Sequence, residues 1–347
     1  MPDNMKPRVV VFGLGGTIAM SAASSGGVAP KLTAEELVSA VPGLAEAEVD
    51  VEVVQFRQLP GASLTLADIA ALCDAIELRS SSADGFVVTQ GTDTIEESAY
   101  LIDLLHPLDQ PVVVTGAMRN PTMAGADGPA NLLAAVVLAA DPVARGLGCV
   151  VVMNDQVHAA SRVRKGHSTN TGTFASPNGG PLGYIVEGNT RILNSVRRPG
   201  SVPADLTKPL RVPIYTATLG DDDETVRAIA GKADGLVVAA MGVGHVPAQL
   251  VDALAETATT RPVVLASRTG SGPVLSSTYG FPGSERDLLA RGLISTGLLD
   301  PLKARILLAA AISAGGDIHT IRRAFAVAGD LSNDESWPWK TDSEKIN

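Results

Sequence analysis

The sequence predicts an α/β protein with a larger N-terminal domain, built on a doubly wound and mainly parallel sheet, and a smaller C-terminal α/β domain. Three observations support this. Short runs rich in valine alternate with longer amphipathic segments. The runs are continuously apolar, as in strands that are buried on both faces of a parallel sheet. The chain of 347 residues is also longer than one average domain.

The predicted strands are short apolar runs, and they are taken here in chain order. They lie at residues 8–12, 51–56, 85–90, 111–116, 149–154, 212–217, 235–242 and 262–267. Helical periodicity marks the segments between several of them, at residues 65–78, 94–106, 131–140, 248–258 and 304–312. Strands that alternate with helices in this way are typical of a sheet covered on both faces.

The domain boundary is predicted from a change in composition. Residues 196–210 are rich in proline and charge and have neither the helix nor the strand period, as linkers do. We therefore expect an N-terminal catalytic domain at 1–200, a linker at 201–211 and a C-terminal domain at 212–330. A polar tail at 331–347 carries two tryptophans that are expected to pin it to the body of the protein.

Charge and cysteine content narrow the classes of function. Acidic residues outnumber basic ones by 37 to 27, and no basic run is interleaved with aromatic residues, which argues against nucleic acid or anionic membrane as a partner. The N-terminal apolar stretch is too short for a signal peptide, and no run approaches a membrane span, so a cytoplasmic location is expected. Cys73 and Cys149 are interpreted as reduced core residues, and no metal-ligand spacing is found.

The turns that follow the strands are the expected ligand site, because ligands of open α/β sheets bind at the carboxyl ends of the strands. The first turn contains Gly13, Gly15 and Gly16 and resembles the start of a dinucleotide-binding loop. That interpretation is weak, because Ile18 stands at the third glycine position and the second strand does not end in an acid. The alternative is a tight glycine turn that binds no ligand. If the glycines instead let the backbone approach a bound group closely, the Thr17 side chain would be exposed to that group.

The turn after the third strand is more informative. Thr94 and Glu97 match a capping box for the following helix, and Asp93 could serve as a helix N-terminal charge. Neither role accounts for Thr92. A threonine hydroxyl becomes a nucleophile when a base takes its proton, and a lysine can be that base when burial or a carboxylate removes its charge. Lys165 is a candidate, although its segment also matches a solvated basic loop.

Seven motifs together resemble the bacterial-type L-asparaginases, the asparaginase/glutaminase family, over nearly the whole chain. They read GGTIA, GTDTIEESAY, PVVVTGAMR, ADGPANL, VVMND, GPLGY and GLLDPLKARILL. The resemblance implies hydrolysis of L-asparagine to L-aspartate and ammonia, with a lesser activity on glutamine. It implies no metal and no organic cofactor.

The resemblance also implies roles for individual residues. Thr17 is expected to be the first nucleophile and to form an acyl-enzyme ester, while Thr92, Asp93 and Lys165 form a second catalytic cluster that relays protons. Asp93 is expected to hold the α-ammonium group of the substrate. The other residues expected to bind substrate are Ala62 and Ser63 at its α-carboxylate, Gln90 in the pocket wall, and Ala117 through its backbone.

The resemblance further implies that Glu285 completes the site of a neighbouring subunit, so that the protein is a homo-oligomer, a homotetramer built as a dimer of dimers. The alternative is that Glu285 is an exposed first-turn helix acid behind a Ser284 cap. His245 falls where relatives carry a polar residue behind the site. The lid segment 21–33 lacks the tyrosine that many relatives have, and Tyr279 is a candidate to replace it.

Three alternatives to an asparaginase stay open at this point. One is a related amidohydrolase that acts on glutamine, a D-amide or a larger amide. Another is a catalytically silent amino-acid-binding protein, which the missing lid tyrosine suggests and the two threonines with Lys165 oppose. The third, a nicotinamide-dependent dehydrogenase, depends only on the first glycine turn.

Overall fold

The computed structural model describes residues 6–16, 20–22, 28–30, 33–331 and 335–339. Thr17, the predicted nucleophile, lies outside these residues. The chain forms two compact units, residues 1–198 and 199–347. Residues 201–211, expected to be a linker, thus group with the second unit, in which the Trp337 indole donates a 2.9 Å hydrogen bond to the Ser201 carbonyl oxygen.

The first unit is built on an eight-stranded sheet. In chain order, its strands are β1 (Arg8–Gly13), β4 (Asp50–Gln55), β5 (Gly85–Thr89), β6 (Val112–Thr115), β7 (Cys149–Met153), β8 (Gln156–Ala159), β11 (Gly183–Val186) and β12 (Asn189–Ile192). Two short pairs lie outside it: β2 (Met20–Ala22) with β3 (Val28–Pro30), and β9 (Arg164–Lys165) with β10 (Phe174–Ala175). The first unit also has helices α1 (Ala34–Ser39), α2 (Leu66–Glu77), α3 (Ile95–Leu105) and α4 (Gly128–Ala140).

The strand order creates a switch point. The order across the sheet is β12-β11-β8-β7-β6-β5-β1-β4, and the strands from β4 to β7 are parallel. The chain passes from β1 to one edge at β4 and then crosses back to β5 on the other side of β1. In sheets of this kind the ligand crevice lies where the strand order reverses, at the carboxyl ends of the strands. The ligand site is therefore expected at the carboxyl ends of β1, β4 and β5.

The core explains why these strands are continuously apolar. Val9, Val11 and Val87 pack on one face of the sheet with α4, and alternate residues such as Val10 and Phe12 point to the opposite face and are also fully buried. Burial on both faces removes the polar alternation of a half-exposed strand. The predicted fold class is confirmed by this architecture.

The second unit has a parallel four-stranded sheet in the order β13 (Ile214–Thr216), β14 (Leu236–Ala240), β15 (Val263–Ser267) and β16 (Ile294–Ser295). Its helices are α5 (Asp223–Ala230), α6 (Val251–Ala258), α7 (Glu285–Ala290), α8 (Pro301–Ser313) and α9 (Ile318–Ala328). Within the described ranges, no helix of either unit is long and apolar enough to cross a membrane.

Candidate active site

Three strand-end turns meet at the switch point through glycines. Gly16 follows β1, Gly61 opens a short 3-10 turn after β4, and Gly91 follows β5. A side-chain carbon on Gly16 would overlap the backbone nitrogen of Gly91, and one on Gly61 would lie 2.8 Å from the Gly91 carbonyl oxygen. Gly16 also has a φ of +89°, a conformation that other residues rarely adopt. We call Gly16, Gly61 and Gly91 the glycine junction.

The glycine junction has a direct consequence for the predicted site residues. Gly16 immediately precedes Thr17, Gly61 precedes Ala62 and Ser63, and Gly91 precedes Thr92 and Asp93. These three segments are far apart in the sequence but start from one point in the fold. Since Thr17 is outside the described residues, its side chain is not placed.

Lys165 joins Thr92 and Asp93 in one cluster. Its Nζ donates hydrogen bonds of 3.0 Å to the Thr92 Oγ1 and 2.9 Å to the Asp93 Oδ1. The Lys165 side chain is 15% exposed and that of Asp93 is 67% exposed, while Thr92 is buried. The cluster thus combines a shielded ammonium and hydroxyl with a carboxylate that is open to a ligand. Such groups can move a proton and bind a cation.

Lys165 is brought to this place by the β9–β10 pair, in which it lies opposite Phe174. Its backbone N–H donates a 3.3 Å hydrogen bond to the Glu96 Oε1. Glu96 is buried in the first turn of α3, so its carboxylate lies beside the cluster. Glu96 was not among the residues expected in the site, although its position three residues after Asp93 would place both on one face of a helical turn.

The capping box predicted for α3 is wrong. Thr94 is the N-cap residue, but its side chain makes no capping hydrogen bond. Instead its Oγ1 donates a 3.0 Å hydrogen bond to the Gly61 carbonyl oxygen, across to the turn that carries Ala62 and Ser63. The reason is the closeness of the glycine junction, which offers Thr94 a carbonyl oxygen from another turn. Ala62 and Ser63 are both exposed at the surface of their turn.

Gln90 is fully buried, directly before the glycine of its turn. Its Nε2 donates hydrogen bonds of 3.3 Å each to the Gly91 carbonyl oxygen and to the Thr94 Oγ1. Gln90 therefore contacts the turn that carries Thr92 and Asp93 from the inner side.

The turn after β6 is held by two residues that the sequence analysis missed. Asn131 on α4 donates a 3.0 Å hydrogen bond to the Gly116 carbonyl oxygen, next to Ala117. Asp127 accepts hydrogen bonds from the Met118 and Arg119 backbone N–H groups. Both residues belong to the ADGPANL motif, so this motif could have identified them from the sequence. They fix the backbone around Ala117, which is itself buried.

In the second unit, Glu285 is buried rather than exposed, which corrects the alternative of a simple surface acid. Its side chain is 0% exposed, and its Oε1 accepts hydrogen bonds from the backbone N–H groups of Thr278 and Tyr279. The backbone turn at 278–279 covers it, a contact that helical periodicity cannot reveal. Burial alone raises the pKa of Glu285, but these hydrogen bonds and one to His245 lower it below its ordinary value. Ser284 does cap the helix, accepting from Asp287 N–H.

His245 and Tyr279 lie close to Glu285. The Nε2 of His245 is 3.2 Å from the Glu285 Oε2, and its ring packs edge-on against those of Tyr279 and Phe281 at centroid distances of 4.9 and 5.0 Å. Tyr279 is 43% exposed. The second unit therefore presents a buried acid beneath a partly exposed aromatic group.

Two further features concern cofactor chemistry. Across the described ranges, no three His, Cys, Asp or Glu side chains are grouped so that they could hold a metal ion. Cys73 and Cys149 are free cysteines, as expected, and burial raises the pKa of the Cys73 thiol to about 12.

Comparison with known families gives two matches that together span most of the chain. A family described as "Asparaginase, N-terminal" matches residues 8–198, and one described as "Glutaminase/Asparaginase C-terminal domain" matches residues 211–325.

Individual relatives are similar over nearly their full lengths. A probable L-asparaginase of Deinococcus radiodurans is 36% identical over 331 residues, covering 94% of this chain and 98% of the relative. L-asparaginase 2 of Escherichia coli is 35% identical over 92% of both chains. A protein of Haemophilus influenzae described as a probable periplasmic L-asparaginase is also 35% identical, over 92% of both chains.

A solved structure has the same fold. The crystal structure of a probable cytoplasmic L-asparaginase from Campylobacter jejuni superposes with a TM-score of 0.82 at 33% identity, covering 92% of this chain and 99% of the other.

Proposed function

The chain belongs to the asparaginase family, and we propose that it is an L-asparaginase, an amidohydrolase that converts L-asparagine to L-aspartate and ammonia. Relatives with that name match over more than nine-tenths of the chain. The observation that carries the assignment on this chain's own residues is the contact of the Lys165 Nζ with both Thr92 and Asp93.

The proposed reaction has two steps. In the first, the Thr17 hydroxyl oxygen bonds to the amide carbon and gives up its proton, and the carbon–nitrogen bond breaks as the nitrogen gains that proton through the relay and leaves as ammonia. In the second, water attacks the resulting ester, which releases aspartate and restores the Thr17 hydroxyl. The position of Gly16 against Gly91 supports this assignment, because it starts the segment of Thr17 next to the segment of Thr92.

Lys165 and Thr92 are the proposed proton relay of both steps. The hydrogen bond from the ammonium polarises the Thr92 hydroxyl, and the hydroxyl passes a proton toward the leaving nitrogen. Backbone N–H groups of the turns at Thr92 and Ala117 are the proposed donors to the oxyanion.

The exposed residues around the glycine junction are the ones proposed to orient the substrate. The Asp93 carboxylate, open to solvent, is suited to the α-ammonium group of the substrate, since a cation that leaves water needs an opposite charge. Ser63 is the proposed partner of the α-carboxylate, next to Ala62. Both the ammonium and the carboxylate of an amino acid sit on one carbon, so the two protein segments must be close, as the contact of Gly61 with Gly91 allows.

We also propose a homotetramer, a dimer of dimers, in which Glu285 of the partner subunit completes each site. The hydrogen bonds that hold the Glu285 carboxylate ionised suit it to pair with a substrate ammonium once the turn at 278–279 that covers it moves aside, and His245 orients it. A cytoplasmic location is proposed as well, supported by the Campylobacter relative, while the Haemophilus relative is named as periplasmic. Cell fractionation decides between the two locations.

The test of the proposed function is ammonia release from a panel of amides. We expect turnover of L-asparagine, a lower kcat/KM for L-glutamine, and loss of turnover in Thr17→Ala and in Thr92→Val. Binding of L-aspartate, measured by calorimetry, shows whether each variant keeps a folded site. Turnover of a different amide alone would assign a related amidohydrolase, and aspartate binding without ammonia from any amide would assign an amino-acid-binding protein.

A further inference from the structure

We propose that Gln90 and Thr94 are positioning residues, which set the turn carrying Ser63 against the turn carrying Asp93 through a chain of hydrogen bonds ending at Gly61. This inference deepens the proposed function and rests on it. We call the chain from Gln90 through Thr94 to Gly61 the turn latch.

The first step of the argument is the hydroxyl of Thr94. As the N-cap of α3 it would be expected to accept a hydrogen bond from a backbone N–H of its own helix. Here the side chain makes no such bond and donates to the Gly61 carbonyl oxygen at 3.0 Å. Thr94 therefore links two turns instead of capping its own helix.

The second step is the direction of that hydrogen bond. A hydroxyl has a single proton, and it can accept while it donates. The Gln90 Nε2 donates to the Thr94 Oγ1, so the Thr94 proton is left for the Gly61 carbonyl oxygen. The same Nε2 also donates to the Gly91 carbonyl oxygen, which lies against Gly61. Because Gln90 is fully buried, its amide group is shielded from water.

The third step is what the latch controls. Gly61 is one residue from Ala62 and two from Ser63, while Thr94 is one residue from Asp93 and two from Thr92. All four are proposed to hold or process the substrate. The latch therefore sets the spacing between the groups proposed for the α-carboxylate and for the α-ammonium. An error of about 1 Å in such spacing can cost on the order of 100-fold in rate.

The experiment compares Thr94→Val, Thr94→Ser and Thr296→Val in the full-length protein, using steady-state kinetics with L-asparagine and calorimetry with L-aspartate. Valine keeps the shape of threonine and removes the hydroxyl, while serine keeps the hydroxyl. Thr296 is the matched control, since its buried hydroxyl donates a 2.9 Å hydrogen bond to the Leu299 carbonyl oxygen in the second unit.

We expect Thr94→Val to raise KM and the aspartate Kd about tenfold or more, and Thr94→Ser to keep both within about threefold of wild type. Thr296→Val should lower the melting temperature without moving either constant. Equal KM values for Thr94→Val and Thr296→Val would overturn the proposal, as would failure of serine to rescue.

If Thr94→Val does not fold, Gln90→Met tests the turn latch from its other end. It removes the amide that orients Thr94, and we expect it to raise KM in the same direction. Combined with Thr94→Val, its effect on KM should be less than the product of the two single effects, because both act on one chain of hydrogen bonds. Independent, multiplicative effects would contradict a latch. A wild-type protein that releases no ammonia from asparagine would instead refute the proposed function.

Discussion

The backbone of Gly91 lies directly against Gly16, so that a side-chain carbon on Gly16 would overlap the Gly91 backbone nitrogen. This contact brings the end of β1 to the end of β5 at the switch point of the sheet. It explains the glycine at position 16, while the glycine at position 91 is explained by Gly61, whose nitrogen would lie 2.9 Å from a side-chain carbon there. A predicted nucleophile and a predicted proton relay each follow one of these glycines by a single residue.

A methyl group at Gly91 should therefore harm both stability and activity. In Gly91→Ala the new carbon would lie 2.9 Å from the Gly61 nitrogen and 3.1 Å from its Cα, which forces the two turns apart. We expect a loss of about 1–3 kcal/mol in the free energy of unfolding, measured in urea, together with reduced kcat/KM. Gly231→Ala, where the nearest atom is 3.4 Å away, is the control and should be neutral or slightly stabilising. Full activity of Gly91→Ala would show that the turns tolerate separation.

Removing the Lys165 ammonium should abolish most of the chemistry while sparing ligand binding. We expect Lys165→Met to lower kcat by at least about 100-fold, because the hydroxyl of Thr92 loses its charged partner. Calorimetry should find L-aspartate bound within several-fold of the wild-type affinity. Arg164→Met, at the neighbouring cation of the same strand, is the matched control and should keep wild-type kcat. The relay assignment fails if both variants behave alike.

Mixing two inactive variants tests whether sites are shared between subunits. Glu285→Gln and Thr92→Val are each expected to be inactive, since each removes one side of the site. Co-refolding equal amounts should restore about a quarter of the wild-type activity, because random pairing joins an intact Thr92 with an intact Glu285 in that fraction of sites. Native mass spectrometry confirms that mixed oligomers form. Mixed oligomers without activity would place Glu285 outside the shared site.

His158 should make the protein less stable in acid. It is fully buried on β8, its Nδ1 lies 3.0 Å from the Ser176 Oγ, and burial lowers its pKa from 6.5 to about 4. Between these values the unfolded chain binds a proton that the folded chain does not. Folding stability therefore falls as the pH drops from 6.5 to 4, by up to about 3 kcal/mol from this group.

The measurement for His158 is urea unfolding at pH 7 and at pH 4.5. We expect the loss of stability between the two to be smaller in His158→Gln than in wild type, and His319→Gln, which alters an exposed histidine, is the control. His106 adds to the same trend, since burial lowers its pKa to about 4 as well. An identical pH dependence in wild type and His158→Gln would contradict the prediction.

Much of the fold could be predicted from the hydrophobic pattern of the sequence, because strands that are buried on both faces of a sheet are continuously apolar. Strands such as β5 and β7 are uninterrupted apolar runs, and helices such as α3 have a clear period. The antiparallel edge was not predicted, since β11 and β12 are short and carry polar residues such as Tyr184 and Arg191. Those strands are defined by their partners more than by their own composition.

The candidate site, like the fold, could be predicted only in part from the sequence. The grouping of Thr92, Asp93 and Lys165 was expected from the resemblance, and the structure brings these three together. The capping box predicted at Thr94 was wrong, and the alternative of an exposed Glu285 is also corrected, for one reason. In both cases a backbone group outside the helix takes up the side chain, the Gly61 carbonyl oxygen for Thr94 and the 278–279 amides for Glu285. Local sequence rules cannot include a partner that only the tertiary fold supplies.

The β9–β10 pair offers a starting point for redesign. It carries Lys165 from outside the eight-stranded sheet, whereas the glycine junction lies in the turns that follow the parallel strands. Grafting a different hairpin onto residues 160–176 would exchange Lys165, the proposed proton-relay residue, and leave the glycine junction in place. Selection from a library of such grafts is thus a route to new reactions on an unchanged recognition scaffold.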